Sequence, residues 1–128
     1  TPPGTGDVHL TIIQKIKINY VILITTPQDL VLNTVENSLK MFKKFNIPIL
    51  GIIENMSTYT CENCGYKEAI FGKYGGNIIS IKNNIKYLGS IPLNRQVRIC
   101  SDKGSPLTIT DHINNLYCEI ANKIMFYI

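Results

Sequence analysis

Three short apolar runs, rich in β-branched residues, alternate along the chain with longer segments whose apolar residues recur every three or four positions. Tyr20 to Thr25 predicts a strand buried on both faces of a parallel sheet, and Ile47 to Ile53 predicts a second buried strand. Tyr87 to Ile91 predicts a third, shorter strand that is closed by Pro92. The spacing between these runs leaves room for a helix after each of them.

Helical periodicity is clearest in two segments, one after the first run and one at the end of the chain. The segment Leu30 to Phe45 places one apolar face on Val31, Val35, Leu39, Phe42 and Phe45. The final segment, after Pro106, places one on Ile109, Ile113, Leu116, Ile120 and Ile124. Shorter helices are expected at 8–18, 77–85 and 97–103, and loops at 1–7 and 54–76. This order of strands and helices predicts an α/β fold with a parallel sheet.

Composition narrows the classes of protein to which the chain can belong. With 128 residues, 45% hydrophobic and 17% charged, it has the size of one domain and enough apolar residues for a core. The net charge of +4 is spread out, so the Lys15/Lys17 and Lys43/Lys44 pairs are read as solvated, and no nucleic-acid surface is predicted. The longest apolar runs are about five residues, against the roughly 20 that a membrane-spanning helix needs.

The strongest chemical signal is the motif Cys61-Glu62-Asn63-Cys64-Gly65. Two thiolates at this spacing, followed by a glycine, can chelate one metal from a tight turn. The motif alone is compatible with half of a zinc site, half of an iron–sulfur site, a redox pair or two ordinary loop cysteines. For redox chemistry, only Lys67 and Lys73 offer nearby positive charge.

A complete metal site normally needs four ligands, and no second pair with this spacing occurs in the chain. We expect Cys100 and Cys118 to be buried as small apolar residues, and we assign no role to His9 or His112. A symmetric dimer would supply the missing ligands by bringing two copies of the motif together.

Two further segments have weaker signals. Pro2, Gly4, Gly6 and Asp7 belong to a Pro/Gly-rich loop whose backbone N–H groups suit a phosphate, although a surface turn has the same composition. Asn55 directly follows a buried strand, where ligands bind in open α/β sheets, and it suits either the edge of a base or a turn. No GxxxxGK[ST] phosphate-binding loop and no nucleophile set such as Ser/His/Asp is found.

Taken together and in order, these motifs closely resemble the C-terminal half of the Mrp/ApbC-type ATPases, which are iron–sulfur cluster carriers of the MinD-like P-loop class. The resemblance covers nearly the whole chain and rests on Thr1-Pro2-Pro3-Gly4-Thr5-Gly6-Asp7, Thr25-Thr26-Pro27-Gln28-Asp29, Gly51-Ile52-Ile53-Glu54-Asn55-Met56-Ser57, Cys61-x-x-Cys64, Ile70-Phe71-Gly72, Gly75-Gly76, Leu88-Gly89-Ser90-Ile91-Pro92-Leu93 and Ser101-Asp102-x-Gly104-x-Pro106.

The resemblance implies a doubly wound, mostly parallel sheet, ATP and Mg²⁺ as cofactors, and a homodimer that delivers clusters to apo iron–sulfur proteins. It implies that Cys61 and Cys64 hold a [4Fe–4S] cluster shared between two copies. The segment from Pro2 through Gly4 and Gly6 to Asp7 matches the loop that senses the γ-phosphate. Asn55 matches the adenine-recognising position, and the loop after Pro92 flanks the base.

The resemblance also sets the expectations about the rest of the protein. The family's P-loop lies upstream of the position of Thr1, so we expect residues 1–128 to be the C-terminal part of one ATPase domain and not to hydrolyse ATP alone. Two alternatives remain open, a zinc-stapled dimerisation module and a partitioning ATPase. The final helix carries only Lys123 after Asp111, which disfavours membrane binding. Free thiols and an oxygen-sensitive cluster favour the cytoplasm.

Overall fold

The structure is a computed structural model. It describes residues 6–105 and 111–128, without the side chains of residues 111 and 112. The elements in chain order are α1 Asp7–Lys15, β1 Val21–Thr25, α2 Asp29–Lys44, β2 Ile49–Thr60, β3 Lys67–Glu68, α3 Gly75–Asn83, β4 Tyr87–Leu93, α4 Arg95–Asp102 and α5 Asp111–Tyr127. Within these ranges, no helix is both long enough and apolar enough to cross a membrane.

The strand β2 is the centre of the sheet, which is mostly parallel. Both β1 and β4 pair with it in parallel, and the two-residue strand β3 pairs antiparallel with its carboxyl end. Tyr59, near that end, lies opposite Glu68 of β3 and Leu93 of β4. The predicted α/β fold with a mostly parallel sheet is therefore confirmed.

Helices cover both faces of the sheet. Consecutive residues of a strand point to opposite sides, so neighbouring residues pack under different helices. Ile52 packs into a cluster with the helices α2 and α3, whose buried members are Leu23, Val35, Leu39, Phe42, Ile52 and Ile79. The next residue, Ile53, packs on the other side with Leu88 of β4 and Ile120 of α5. We call these the two-helix face and the one-helix face of the sheet.

Several predicted features need correction. The strand β2 continues through the predicted loop as far as Thr60, and β4 runs through Pro92 to Leu93. Among the described strands, β4 pairs with β2 alone, and a strand that is free on one edge tolerates a proline. Helix α1 already begins at Asp7, which the sequence had placed in the first loop.

The predicted burial also needs correction at particular side chains. Ile24 of β1 is 63% exposed, so β1 is covered on the two-helix face and not on both faces. Phe45 is 40% exposed because it is the residue that follows the end of α2. On α5, Ile113 and Ile120 are buried as predicted, and Ile109 lies outside the described residues.

Candidate functional site

The two cysteines of the CxxC motif lie in the connection between β2 and β3, which is the tip of a β-hairpin and not an irregular loop. The backbone N–H of Cys61 donates to the carbonyl of Tyr66, and the N–H of Gly65 donates to the carbonyl of Cys61, both at 2.9 Å. Gly65 has a φ of 71°, a left-handed conformation that glycine adopts without strain. The hairpin therefore folds the motif into a tight turn at the end of the central strand.

Both thiols of this turn are free, and their environments differ. Cys61 is half-buried and Cys64 is exposed. The backbone N–H groups of Cys64 and Asn63, together with the thiol of Cys64, lower the pKa of Cys61 from its usual value of 9.0. These donors point towards the sulfur and stabilise its negative charge, which favours the thiolate that binds metals.

The turn has one contact with the helix beyond β4. The guanidinium of Arg95, in the first turn of α4, lies 3.9 Å from a carboxylate oxygen of Glu62. Both side chains are well exposed, so this ion pair contributes at most about 1 kcal/mol. It places the first turn of α4 beside the CxxC turn.

The other candidate metal ligands lie elsewhere. Cys118 is exposed and Cys100 is half-buried, so the prediction that both are buried is wrong. His9 is buried, packs edge-on against Phe42 at 6.4 Å between ring centroids, and has no partner for its Nδ1 among the described residues. In the part of the chain that the structure describes, no three His, Cys, Asp or Glu side chains converge on a possible metal position. Among the described residues, Cys61 and Cys64 are therefore two candidate ligands without a third beside them.

The predicted phosphate-sensing loop is described only at its carboxyl end. Pro2 and Gly4 lie outside the described residues. Gly6 is the N-cap of α1, and its carbonyl accepts a hydrogen bond from the N–H of His9 at 3.0 Å. Asp7 is exposed in the first turn of α1, where a negative charge stabilises the helix dipole.

The side chain of Asn55 supports a turn within β2. Its Oδ1 accepts a hydrogen bond from the N–H of Met56 at 2.9 Å, and Met56 has a φ of 56°. Asn55 also lines an apolar cavity of about 360 Å³ on the one-helix face, together with Ile24, Ile91 and Tyr117. Its amide nitrogen makes no hydrogen bond to the described residues, which leaves two donors for a ligand.

Pro92 does not share that cavity with Asn55. It lines a neighbouring cavity of about 440 Å³ with Ser90, Asn94 and Leu116. Asn55 and Pro92, which the family resemblance connects with the base, therefore lie on adjacent strands and line different cavities.

One residue that sequence reasoning passed over is Glu54, beside Asn55. Its side chain is only 3% exposed, and its Oε2 accepts a hydrogen bond from the backbone N–H of Gly76 at 2.7 Å. This carboxylate caps the amino end of α3. The N-cap residue itself, Tyr74, makes no capping hydrogen bond with its side chain. A Cβ on Gly76 would lie 3.1 Å from the Cβ of Glu54, so the contact depends on this glycine. The sequence signal for this contact was the pair Gly75-Gly76, which directly precedes the predicted helix at 77–85.

Comparison with known proteins connects this geometry to a family. Residues 1–125 match the ParA family, described as the NUBPL iron-transfer P-loop NTPases. The chain belongs to this family.

Curated relatives of the chain are named as iron–sulfur cluster carrier or transfer proteins. The chain is 43% identical to an iron–sulfur cluster carrier protein of Pseudomonas fragi over 94% of its length, which is 43% of the relative. It is 39% identical to an iron–sulfur cluster carrier protein of Escherichia coli over 96% of its length and 34% of the relative. It is 42% identical to the iron–sulfur cluster transfer protein NUBPL of Dictyostelium discoideum over 85% of its length and 34% of the relative.

A solved structure supports the same assignment. A nucleotide-binding protein of Archaeoglobus fulgidus, in complex with ADP and with cobalt, superimposes with a TM-score of 0.69 at 36% identity. The alignment covers 80% of this chain and 42% of that protein. The chain thus spans 34% to 43% of the length of these relatives.

Proposed function

We propose that this protein is an iron–sulfur cluster carrier that holds a [4Fe–4S] cluster between two copies of the chain and transfers it to apo-proteins. The observation that carries the proposal is the β-hairpin whose tip presents two free thiols, one exposed, without further ligands among the described residues. The curated relatives named as cluster carriers or transfer proteins support the same function.

The geometry of the hairpin accounts for the need for a second copy. A [4Fe–4S] cluster is held by four thiolates, and each chain contributes Cys61 and Cys64. A twofold axis through the hairpin tips would bring four thiolates together. Because Cys64 is exposed at the tip, the thiols of an apo-protein could reach the same position, as transfer of the cluster requires.

We further propose that ATP with Mg²⁺ drives loading or release, and that residues 1–128 are the C-terminal part of one ATPase domain. The loop from Pro2 through Gly4 and Gly6 to Asp7 would sense the γ-phosphate. Asn55 would contact the adenine with its free amide donors, and the loop after Pro92 would flank the base. The relative from Archaeoglobus fulgidus, solved with ADP, supports nucleotide binding. Free thiols persist in a reducing compartment, and we propose the cytoplasm.

The test is anaerobic reconstitution of the full-length protein with iron and sulfide, followed by metal and sulfide analysis, visible spectroscopy and mass determination in solution. We expect about four irons and four sulfides per dimer. The double variant Cys61→Ser/Cys64→Ser should lose both, and the matched control Cys100→Ser/Cys118→Ser should keep both. About one zinc per dimer without sulfide would instead support a zinc-stapled dimerisation module.

A further inference from the structure

A third cavity lies beside the hairpin that carries the CxxC motif. Its volume is about 720 Å³, and it is bounded by the hairpin strand β3, the segment leading into α3 and the ends of β2 and β4. Its lining includes Glu54, Tyr87 and Ser90, together with Lys67 and Lys73. Cavities of this size are typical of small-molecule sites, which range over about 300–1,000 Å³.

The cavity adjoins the one that Pro92 lines, and the two share Ser57, Thr58, Lys67 and Ser90. Neither cysteine of the CxxC motif lines it, and neither do Asn55 and Pro92. Glu54 and Asn55 are consecutive on β2, and each lines a different cavity. A ligand held by Glu54 would therefore use residues other than the proposed cluster ligands and the proposed adenine contact.

The carboxylate of Glu54 is buried with little compensation for its charge. One of its oxygens accepts the N–H of Gly76, and no other hydrogen bond or ion pair to it is made within residues 6–105 and 111–128. A carboxylate offers about four acceptor positions, and a buried charge is costly unless it is paired. The amino end of α3 offsets part of this cost, and the remaining acceptor positions call for a positively charged donor.

Beside the carboxylate of Glu54, two residues with hydroxyl groups, Tyr87 and Ser90, line the cavity. Burial raises the pKa of Tyr87, the charge of Glu54 raises it further, and a hydrogen bond with Ser90 opposes the rise. This part of the cavity is therefore polar around one negative charge.

The rim of the cavity has the opposite character. Lys67 and Lys73 contribute to its lining, both residues are exposed, and neither forms an ion pair with the described residues. Glu68 also lines the cavity, so the net charge of these three rim residues is +1. A ligand with a cationic group at one end and an anionic group at the other would match both regions.

We propose that this cavity binds a small zwitterion of dipeptide to tripeptide size. Its ammonium group binds the carboxylate of Glu54, and its carboxylate group points towards Lys67 and Lys73. The proposal does not depend on the carrier function, and its test uses protein that holds no cluster.

The test is calorimetric titration of the full-length protein with S-methylglutathione, which carries an ammonium group and two carboxylates and has no free thiol to react with Cys61 or Cys64. We expect saturable binding of one molecule per chain. N-acetylation of the probe removes its positive charge and should weaken binding at least about tenfold, because a charge-assisted hydrogen bond is lost. The variant Glu54→Gln should weaken binding of the unmodified probe by a similar factor.

Two further variants separate loss of binding from loss of folding. The glutamine of E54Q can still accept the N–H of Gly76, and its thermal unfolding is recorded beside that of the unaltered protein. The exposed pair Lys67→Met/Lys73→Met should weaken binding about threefold without altering unfolding, since exposed ion pairs contribute at most about 1 kcal/mol. The control Glu68→Gln should bind at least as tightly as the unaltered protein.

Three results would overturn the proposal. The first is no saturable binding of S-methylglutathione. The second is equal binding of the acetylated and unmodified probes to the unaltered protein, or equal binding of the unmodified probe to E54Q and to the unaltered protein. The third is tighter binding of N-acetyl-lysine amide than of S-methylglutathione, since that probe has the ammonium group and no carboxylate. The cavity would then accept a basic side chain of a protein partner.

Discussion

The two faces of the sheet have similar apolar sequences and are covered to very different degrees. On the two-helix face, the side chains of β1 and β2 pack under α2 and α3, and six buried residues form one cluster. On the one-helix face, the buried cluster has three residues, and Ile24 is 63% exposed beside an open apolar cavity of about 360 Å³. Leu23 and Ile24 are neighbours in one strand, with exposed fractions of 6% and 63%.

An apolar run therefore shows that a strand can be buried on both sides. It does not show which other elements cover each side. The run from Tyr20 to Thr25 is apolar on both sides, as a strand in the interior of a parallel sheet would be. Among the described residues, α2 and α3 cover one side of this strand, and on the other side only Ile22 packs against the cluster that includes Ile120 of α5. The proposed adenine contact of Asn55 lies on the incompletely covered side, where a ligand can reach the sheet.

The largest effect is expected on the two-helix face. Leu39 of α2 is 1% exposed, and Leu39→Ala should lower the free energy of unfolding by about 3–5 kcal/mol, since it leaves a cavity in a packed cluster. The matched control is Leu30→Ala in the same helix, where the side chain is 81% exposed and the change should be within about 0.5 kcal/mol. Urea unfolding measures both, and equal costs would contradict the assignment of this core.

A smaller effect is expected on the one-helix face. Ile120 is 6% exposed, packs on Gly89 and lines the open apolar cavity. Ile120→Ala should lower the free energy of unfolding by about 2 kcal/mol, because fewer buried neighbours lose contacts and the site already borders open space. A cost as large as that of Leu39→Ala in the same urea experiment would show that the two faces are equally packed.

The smallest effect is expected at Ile24. Ile24→Thr keeps a β-branched side chain, so in residues 1–128 it should change the free energy of unfolding by less than about 0.5 kcal/mol. Repeating the substitution in the full-length protein sharpens the comparison. A cost there above about 1 kcal/mol would show that a further segment covers Ile24, whereas such a cost in residues 1–128 would contradict its exposure.

The fold was predictable because its signals are local. Periodicity of three and four placed α2 within one residue of its observed ends, and two of the β-branched runs fell on β1 and the first part of β2. The continuation of β2 to Thr60 was missed, because Asn55, Ser57 and Thr58 are typical of loops. Asn55 pairs with β4, the hydroxyl of Ser57 donates to the carbonyl of Ile91, and the end of the strand pairs with β3. These partners are distant in the chain.

The candidate site was predictable only in its chemistry. The spacing of Cys61 and Cys64 identified two metal ligands, and the family resemblance suggested what they hold. Their position at a hairpin tip depends on the antiparallel pairing of Tyr59 and Thr60 with β3. The exposure of Cys118 was mispredicted. A single cysteine in a helix does not indicate whether it lies on the exposed or the buried face.

The order of strands and helices, the two-thiol motif and the resemblance to a family of cluster carriers can all be read from the sequence alone. These properties depend on residue spacing along the chain, which is readable without any partner. Tertiary structure alone decided that Glu54 is buried against the N–H of Gly76, 22 positions away, beside a cavity rimmed by Lys67 and Lys73. The burial and charge environment of a side chain are set by the elements packed around it, and strand register and helix docking bring those elements together.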